Sequence, residues 1–194
     1  MIESLYLHIP FCVSRCGYCD FATSACNDDE RMDAYVDALC MQIRRASKAG
    51  LLGNVRTIYI GGGTPTHLGS RRLNSLIYLI SLSVNLENVR EFTVEANPES
   101  LDERMVADLY ALGVGRFSIG AQSFDDAVLS GYGRIHDAAQ VERAVADVKT
   151  RTDNFSLDLI CGGPRQSMKS WEESLRNAIN LGAKHVSVYP LTLE

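Results

Sequence analysis

The sequence predicts an α/β chain, a parallel sheet with helices packed outside it. Three observations carry this. Short apolar runs of strand type alternate with apolar positions at helical spacing, six times along 194 residues. The polar and glycine-rich segments all follow the predicted strand C-termini, where α/β proteins build their sites. No linker, low-complexity tract or short-period repeat interrupts the alternation, and a chain that is 46% hydrophobic can bury one sizeable core. An open doubly wound sheet and a curved partial barrel both satisfy this pattern.

The elements follow in order. Leu5 to Ile9 is a short apolar run stopped by Pro10, hence a strand. Asn27 with Glu30 is a helix start signal, and Met32, Tyr35, Val36, Leu39, Cys40 and Ile43 form one helical face that Gly50 ends. Val55 to Ile60 is the second strand, followed by a helix with Leu73, Leu76, Ile77 and Ile80 inward. Val89 to Val94 is the third. Ser100 and Glu103 read as a capping box for a helix burying Met105, Leu109 and Leu112, closed by Gly113. Phe117 to Ile119 is the fourth strand, and a helix from Asp137 carries Val141, Ala144, Val145 and Val148. Phe155 to Ile160 is the fifth. Trp171, Leu175, Ala178 and Ile179 line the next helix, closed by Gly182, and His185 to Tyr189 is the sixth strand.

Composition narrows the function classes. A net charge of −5 gives no electrostatic reason to expect nucleic acid. No apolar run approaches the roughly 20 residues of a membrane span, and the first residues lack a signal-peptide pattern. Six cysteines, three of them clustered, fit a reducing cytoplasm better than a disulfide scaffold.

That cluster is Cys12, Cys16 and Cys19, spaced CxxxCxxC directly after the first strand. Three thiols on one short loop are what a metal centre needs, whereas a disulfide would leave one unpaired. Iron–sulfur clusters commonly take four Cys thiolates, so three protein ligands would leave one iron open to a small molecule. Structural zinc and reduced structural thiols are the alternatives, although no second CxxC or paired His is present to complete a zinc site. Gly61-Gly62-Gly63-Thr64 lacks the P-loop ending and the GxGxxG pattern, so it is either a tight turn or a backbone approach to a ligand. Glu95 ends the third strand, where its carboxylate can accept from vicinal hydroxyls. Asp158 lies between Leu157 and Leu159 and needs a partner, because an unpaired charge in an apolar strand is costly. Arg134 is suited to holding a carboxylate through two hydrogen bonds. Gln122 ends the fourth strand. His8 and His136 read as packed or surface residues, and Tyr6 as a core residue of the first strand, on pattern alone.

Five ordered motifs carry a resemblance. They are Tyr6-x-His8-Ile9-Pro10-Phe11-Cys12 running on to Tyr18-Cys19-Asp20-Phe21, then Gly61 to Thr66, Glu95-Ala96-Asn97-Pro98, Ser118 to Phe124, and Gly133-Arg134-x-His136. Together they resemble the radical S-adenosylmethionine (SAM) family of oxygen-independent coproporphyrinogen III oxidases. Within it they are most similar to the haem chaperone branch, since Asp20-Phe21 follow Cys19 where the true oxidases carry a fourth Cys, and only a short lead precedes Cys12.

The resemblance implies a partial (βα)6 TIM-like barrel of radical SAM type over residues 1–194, with the family's C-terminal region absent. It implies a 4Fe–4S cluster on Cys12, Cys16 and Cys19. It places Tyr6, Tyr18, Gly62, Gly63, Thr64, Glu95, Gln122, Arg134 and Asp158 around SAM, which in such enzymes is cleaved to a 5′-deoxyadenosyl radical. For the chaperone branch it further implies haem as ligand and a haem acceptor protein as partner. For the oxidase branch it implies porphyrinogen decarboxylation. A non-catalytic zinc or structural protein on the same scaffold is the third expectation. Three positions depart from the family pattern. Gly163 stands where Leu is usual and is expected to loosen packing, Cys161 replaces an aromatic residue, and Tyr132 replaces an aliphatic one.

Overall fold

The computed structural model describes residues 2–192. In chain order the elements are β1 (Ser4–Ile9), β2 (Phe11–Cys12), β3 (Ser24–Ala25), α1 (Asp29–Lys48), β4 (Thr57–Gly62), α2 (Gly69–Ser83), β5 (Glu91–Ala96), α3 (Glu103–Ala111), β6 (Arg116–Gln122), α4 (Asp126–Tyr132), α5 (Ala138–Lys149), β7 (Phe155–Cys161), α6 (Met168–Asn180) and β8 (His185–Pro190). Six strands pair in the order β1-β4-β5-β6-β7-β8, every pair parallel. The spatial order equals the chain order, so the sheet never reverses as a doubly wound sheet must. This is the singly wound arrangement of a partial (βα)6 barrel. β2 and β3 form a separate two-stranded ribbon holding the cysteine loop between them.

The two faces of the sheet differ in chemistry. Leu7, Ile9, Ile58, Ile60, Val94, Phe117, Ile119, Phe155, Leu157 and Leu159 point outward and are buried under the helices. They meet Leu73, Leu76, Ile77 and Ile80 of α2, Val106 and Leu109 of α3, and Val141, Ala144, Val145 and Val148 of α5 in one core. The residues that alternate with them are polar or small. Tyr59, Thr93, Glu95, Arg116, Ser118, Gly120, Ser156 and Asp158 face inward, as the period of two requires. Thr93, Ser118 and Ser156 are buried there and need partners. Arg116 donates to Thr93 Oγ1 at 3.3 Å and Ser156 Oγ at 2.9 Å, and Ser118 Oγ bonds Ser156 Oγ at 2.8 Å.

Four local expectations change. The cap of α3 is Asp102, whose carboxylate accepts from Met105 N at 2.7 Å, while Ser100 ends a 3-10 turn after Pro98 and hydrogen-bonds Thr66 Oγ1. The cap of α1 is Asp28 rather than Asn27. An additional short helix, α4, stands between β6 and α5, held at its start by Asp125. Its seven residues are too few for a helical period to be legible. On α6 the buried face is Ser170, Ser174 and Ala178, and Ile179 is 69% exposed. Small residues bring α6 close enough for Ser174 Oγ to accept from Phe124 N at 3.0 Å. That contact turns Ile179 away from the sheet.

Candidate functional site

A cavity of about 360 Å³ opens at the C-terminal ends of the strands. Cys12, Cys16 and Cys19 line it together with Tyr18, Gly62, Gly63, Thr64, Glu95, Gln122, Arg134 and Asp158. Residues up to 146 positions apart therefore share one space because every strand of a parallel sheet ends on the same side. Tyr6 does not line it. Nor is it the core residue its strand pattern suggested: Tyr6 is 56% exposed lower on β1, level with Tyr59 in the strand register, and its ring stacks on Tyr59 at 6.1 Å. Tyr59 holds the place beside Glu95.

The cysteine loop is fixed from several sides. Cys12 closes β2, and its thiol accepts from Thr64 Oγ1 at 3.6 Å. Burial pushes the Cys12 thiol pKa up, with the Thr64 hydroxyl opposing it. Arg134 Nη1 donates to Cys16 Sγ at 3.6 Å. Cys19 Sγ lies 3.8 Å from Thr23 Oγ1, and Cys19 O accepts from Arg15. All three thiols line the cavity. Among the described residues no three His, Cys, Asp or Glu side chains converge closely enough to hold one metal ion.

The glycine turn follows β4. Gly62 has φ +122°, where a side chain is strained, and donates its N–H to Glu95 Oε2 at 2.9 Å. A Cβ on Gly63 would come within 2.9 Å of Cys12 Sγ, so the turn presses against the cysteine loop. Glu95 also accepts from Tyr59 OH at 2.5 Å. Burial raises the pKa of Glu95, and these two hydrogen bonds pull against it. Asp158 has the partner its apolar strand demanded, since Ser118 Oγ donates to Oδ2 at 3.0 Å.

Gln122 has φ +66° at a β-bulge in β6, a strained conformation for a residue with a side chain. The bulge turns its amide into the cavity. Arg134 is half-buried, its Nη2 donating to Asn97 Oδ1 at 2.8 Å and Gly120 O at 3.1 Å. Burial opposes its charge, yet Tyr18, Cys16 and Glu99 around it hold its pKa above the ordinary arginine value. Burial also pushes the Tyr18 hydroxyl pKa up. His8 and His136 are packed, as their lone positions suggested. His8 bonds Tyr6 OH and Ala22 O, and His136 bonds Glu99 and Ala121 O.

Three contributors escaped the sequence reading. Asn97 bonds both Thr64 and Arg134. Its signal was its place in Glu95-Ala96-Asn97-Pro98, two residues beyond a strand-end carboxylate. Ser118 carries Asp158. Tyr59 carries Glu95, and only the register of β4 against β5 reveals that pairing. The Gly163 expectation is also overturned. The Tyr132 ring fills the space above Gly163, is 3% exposed and donates to Ile160 O at 3.1 Å. Two departures from the family pattern thus compensate each other.

A family model described as the Radical SAM superfamily matches residues 6–178. The chain belongs to the Radical SAM superfamily. Among curated relatives, the haem chaperone HemW of Escherichia coli is 38% identical over 192 residues, covering 98% of this chain and 51% of that protein. HemW of Bacillus subtilis is 38% identical over 196 residues, covering 100% of this chain and 51% of that protein. The chain spans about half the length of the curated relatives it matches. Among solved structures, the E. coli coproporphyrinogen III oxidase HemN, titled a Radical SAM enzyme, superposes with TM-score 0.87 at 28% identity, over 98% of this chain and 44% of that one. The methyltransferase TsrM from Kitasatospora setae superposes with TM-score 0.71 at 16% identity, over 99% of this chain and 37% of that one, which speaks to the fold alone.

Proposed function

We propose that this chain is the Radical SAM core of a cytoplasmic haem chaperone, which binds haem and passes it to an acceptor protein. The observation that carries the site is that Cys12, Cys16 and Cys19 line the same cavity as Glu95, Arg134 and Asp158. Three thiols on one cavity suit a 4Fe–4S cluster, because thiolate is the ligand such clusters take and a structural zinc site would want a fourth protein ligand. Three cysteine ligands would leave one iron of such a cluster without a protein ligand and open to SAM. Cys12, Cys16 and Cys19 would hold the cluster, which when reduced would supply one electron to a bound sulfonium.

The remaining roles belong to the chain. Glu95 accepts from the ribose hydroxyls, held in place by Tyr59 and the Gly62 N–H. Arg134 offers a fixed positive charge to the SAM carboxylate. Gly62, Gly63 and Thr64 present backbone to its amino group. Gln122 and Asp158 bind along the polar inner face, and Tyr18 covers the nucleoside. Tyr6 acts through Tyr59, on which it stacks.

Haem rather than porphyrinogen is favoured because the HemW relatives are 38% identical and HemN is 28% identical. Anaerobic reconstitution followed by electron paramagnetic resonance of the reduced protein, with and without SAM, tests the site. A SAM-induced change in the cluster signal is expected, and an iron-free protein or a signal indifferent to SAM refutes it. Haem titration against porphyrinogen turnover separates chaperone from oxidase, and turnover without haem binding overturns the chaperone reading.

A further inference from the structure

Two of the three cluster-motif thiols are joined by hydrogen bonds through one amide. Thr64 Oγ1 donates to Cys12 Sγ at 3.6 Å. Asn97 Nδ2 donates to that same Thr64 oxygen at 3.0 Å. On its other side Asn97 Oδ1 accepts from Arg134 Nη2 at 2.8 Å, and Arg134 Nη1 donates to Cys16 Sγ at 3.6 Å. The chain of contacts runs Cys12, Thr64, Asn97, Arg134, Cys16.

The fold makes room for it. Asn97 follows the last residue of β5, and Pro98 fixes the backbone behind it. A Cβ on Gly120 would lie 2.8 Å from Asn97 Oδ1, so the side chain crosses the sheet only because position 120 is bare. Thr64 is 3% exposed. With both oxygen and nitrogen of Asn97 committed, the Thr64 proton is directed at Cys12, because the hydroxyl oxygen is already accepting from the amide. Arg134 is likewise turned so that one nitrogen serves Asn97 and the other serves Cys16.

We propose that Asn97 is a positioning residue that sets the reduction potential of the cluster, by aiming one neutral and one cationic donor at two of its thiolate ligands. This rests on the cluster reading above. Reduction adds negative charge to the cluster and its sulfurs, and donors aimed at sulfur stabilise that charge and raise the potential. Removing the amide frees the Thr64 hydroxyl to turn away and takes from Arg134 Nη2 one of the two acceptors that orient it, leaving Gly120 O.

The test is a redox titration of reconstituted protein without SAM, followed by paramagnetic resonance, after iron and sulfide content have been measured. Asn97→Leu is expected to load the same iron and sulfide while its reduction becomes roughly tenfold less favourable, a fall of about 59 mV for one electron. Thr64→Val removes the hydroxyl at nearly constant shape and should lower the potential by part of that. In the double variant the effect of Asn97→Leu should shrink, because half of it passes through Thr64. An unchanged potential in fully loaded Asn97→Leu overturns the proposal, as does strict additivity in the double variant. If Asn97→Leu fails to load, Thr64→Val decides, and an unchanged potential there also overturns it. Wild-type protein that takes up no iron refutes the cluster reading instead, so the two failures are distinguishable.

Discussion

Tyr132 and Gly163 occupy one volume between them, and this can be tested without any cofactor. A Cβ at position 163 would lie 2.0 Å from Tyr132 Cε1 and 2.2 Å from its hydroxyl. Gly163 is not among the glycines with positive φ, so its backbone accepts other residues and the bar is steric. The Tyr132 ring packs with Val128 and Ile160 in a small cluster and meets Tyr18 edge-on at 5.5 Å. Gly163→Leu must displace that ring, and overpacking of this kind costs about 3 kcal/mol. Tyr132→Leu removes buried ring atoms and should cost about 2 kcal/mol. Ile160 O stays satisfied in that variant because Gln166 Nε2 also donates to it at 3.0 Å. Combining the two places a leucine where the ring was displaced, so the double variant should recover about 2 kcal/mol against the sum of the singles. For a chain of this length that is about 4–8 °C in melting temperature. Urea and thermal denaturation followed by far-UV circular dichroism measure it. A harmless Gly163→Leu, or a double variant that costs the full sum, refutes the shared-volume argument.

Other perturbations read the site directly. Replacing Cys12, Cys16 and Cys19 together by Ala should abolish iron uptake and the visible absorption of reconstituted protein, while the circular dichroism of the sheet and helices persists. Glu95→Gln removes a charged acceptor and should weaken SAM binding about tenfold by calorimetry. Because burial raises the folded pKa of Glu95, its ionisation costs stability as pH rises through that pKa. The same variant should therefore stabilise the unliganded chain at neutral pH, as denaturation midpoints will show. Glu99 behaves in the opposite sense. Burial alone would raise its pKa, but the His136 hydrogen bond and the Arg134 charge outweigh it and leave the pKa lowered. Its stabilisation is present above the unfolded carboxylate pKa and is lost as pH falls through the lowered one. Glu99→Gln should flatten the acid limb of the stability profile below about pH 4. Gly62→Ala places a Cβ 2.7 Å from the His8 ring at φ +122° and should destabilise the fold measurably by urea denaturation.

The amino-acid order alone determined the strand and helix alternation, the outward apolar face and the cysteine spacing. These are short-range regularities, and periods of two and 3.6 residues survive without tertiary contacts. The glycine turn, Glu95 and Asp158 were legible for the same reason, since strand ends and lone charges in apolar runs are local signals. α4 was not legible because it is a single short turn-rich segment, and Ile179 was misassigned because Ser170 and Ser174 chose the buried face. Only the tertiary structure decided which polar groups meet on the inner face. Arg134 reaches Cys16 across 118 positions, Glu95 meets Tyr59 across 36, and Asn97 ties Thr64 to Arg134. Those pairings depend on strand register and sheet curvature, which bring distant strand ends to one rim and are set by the whole core together.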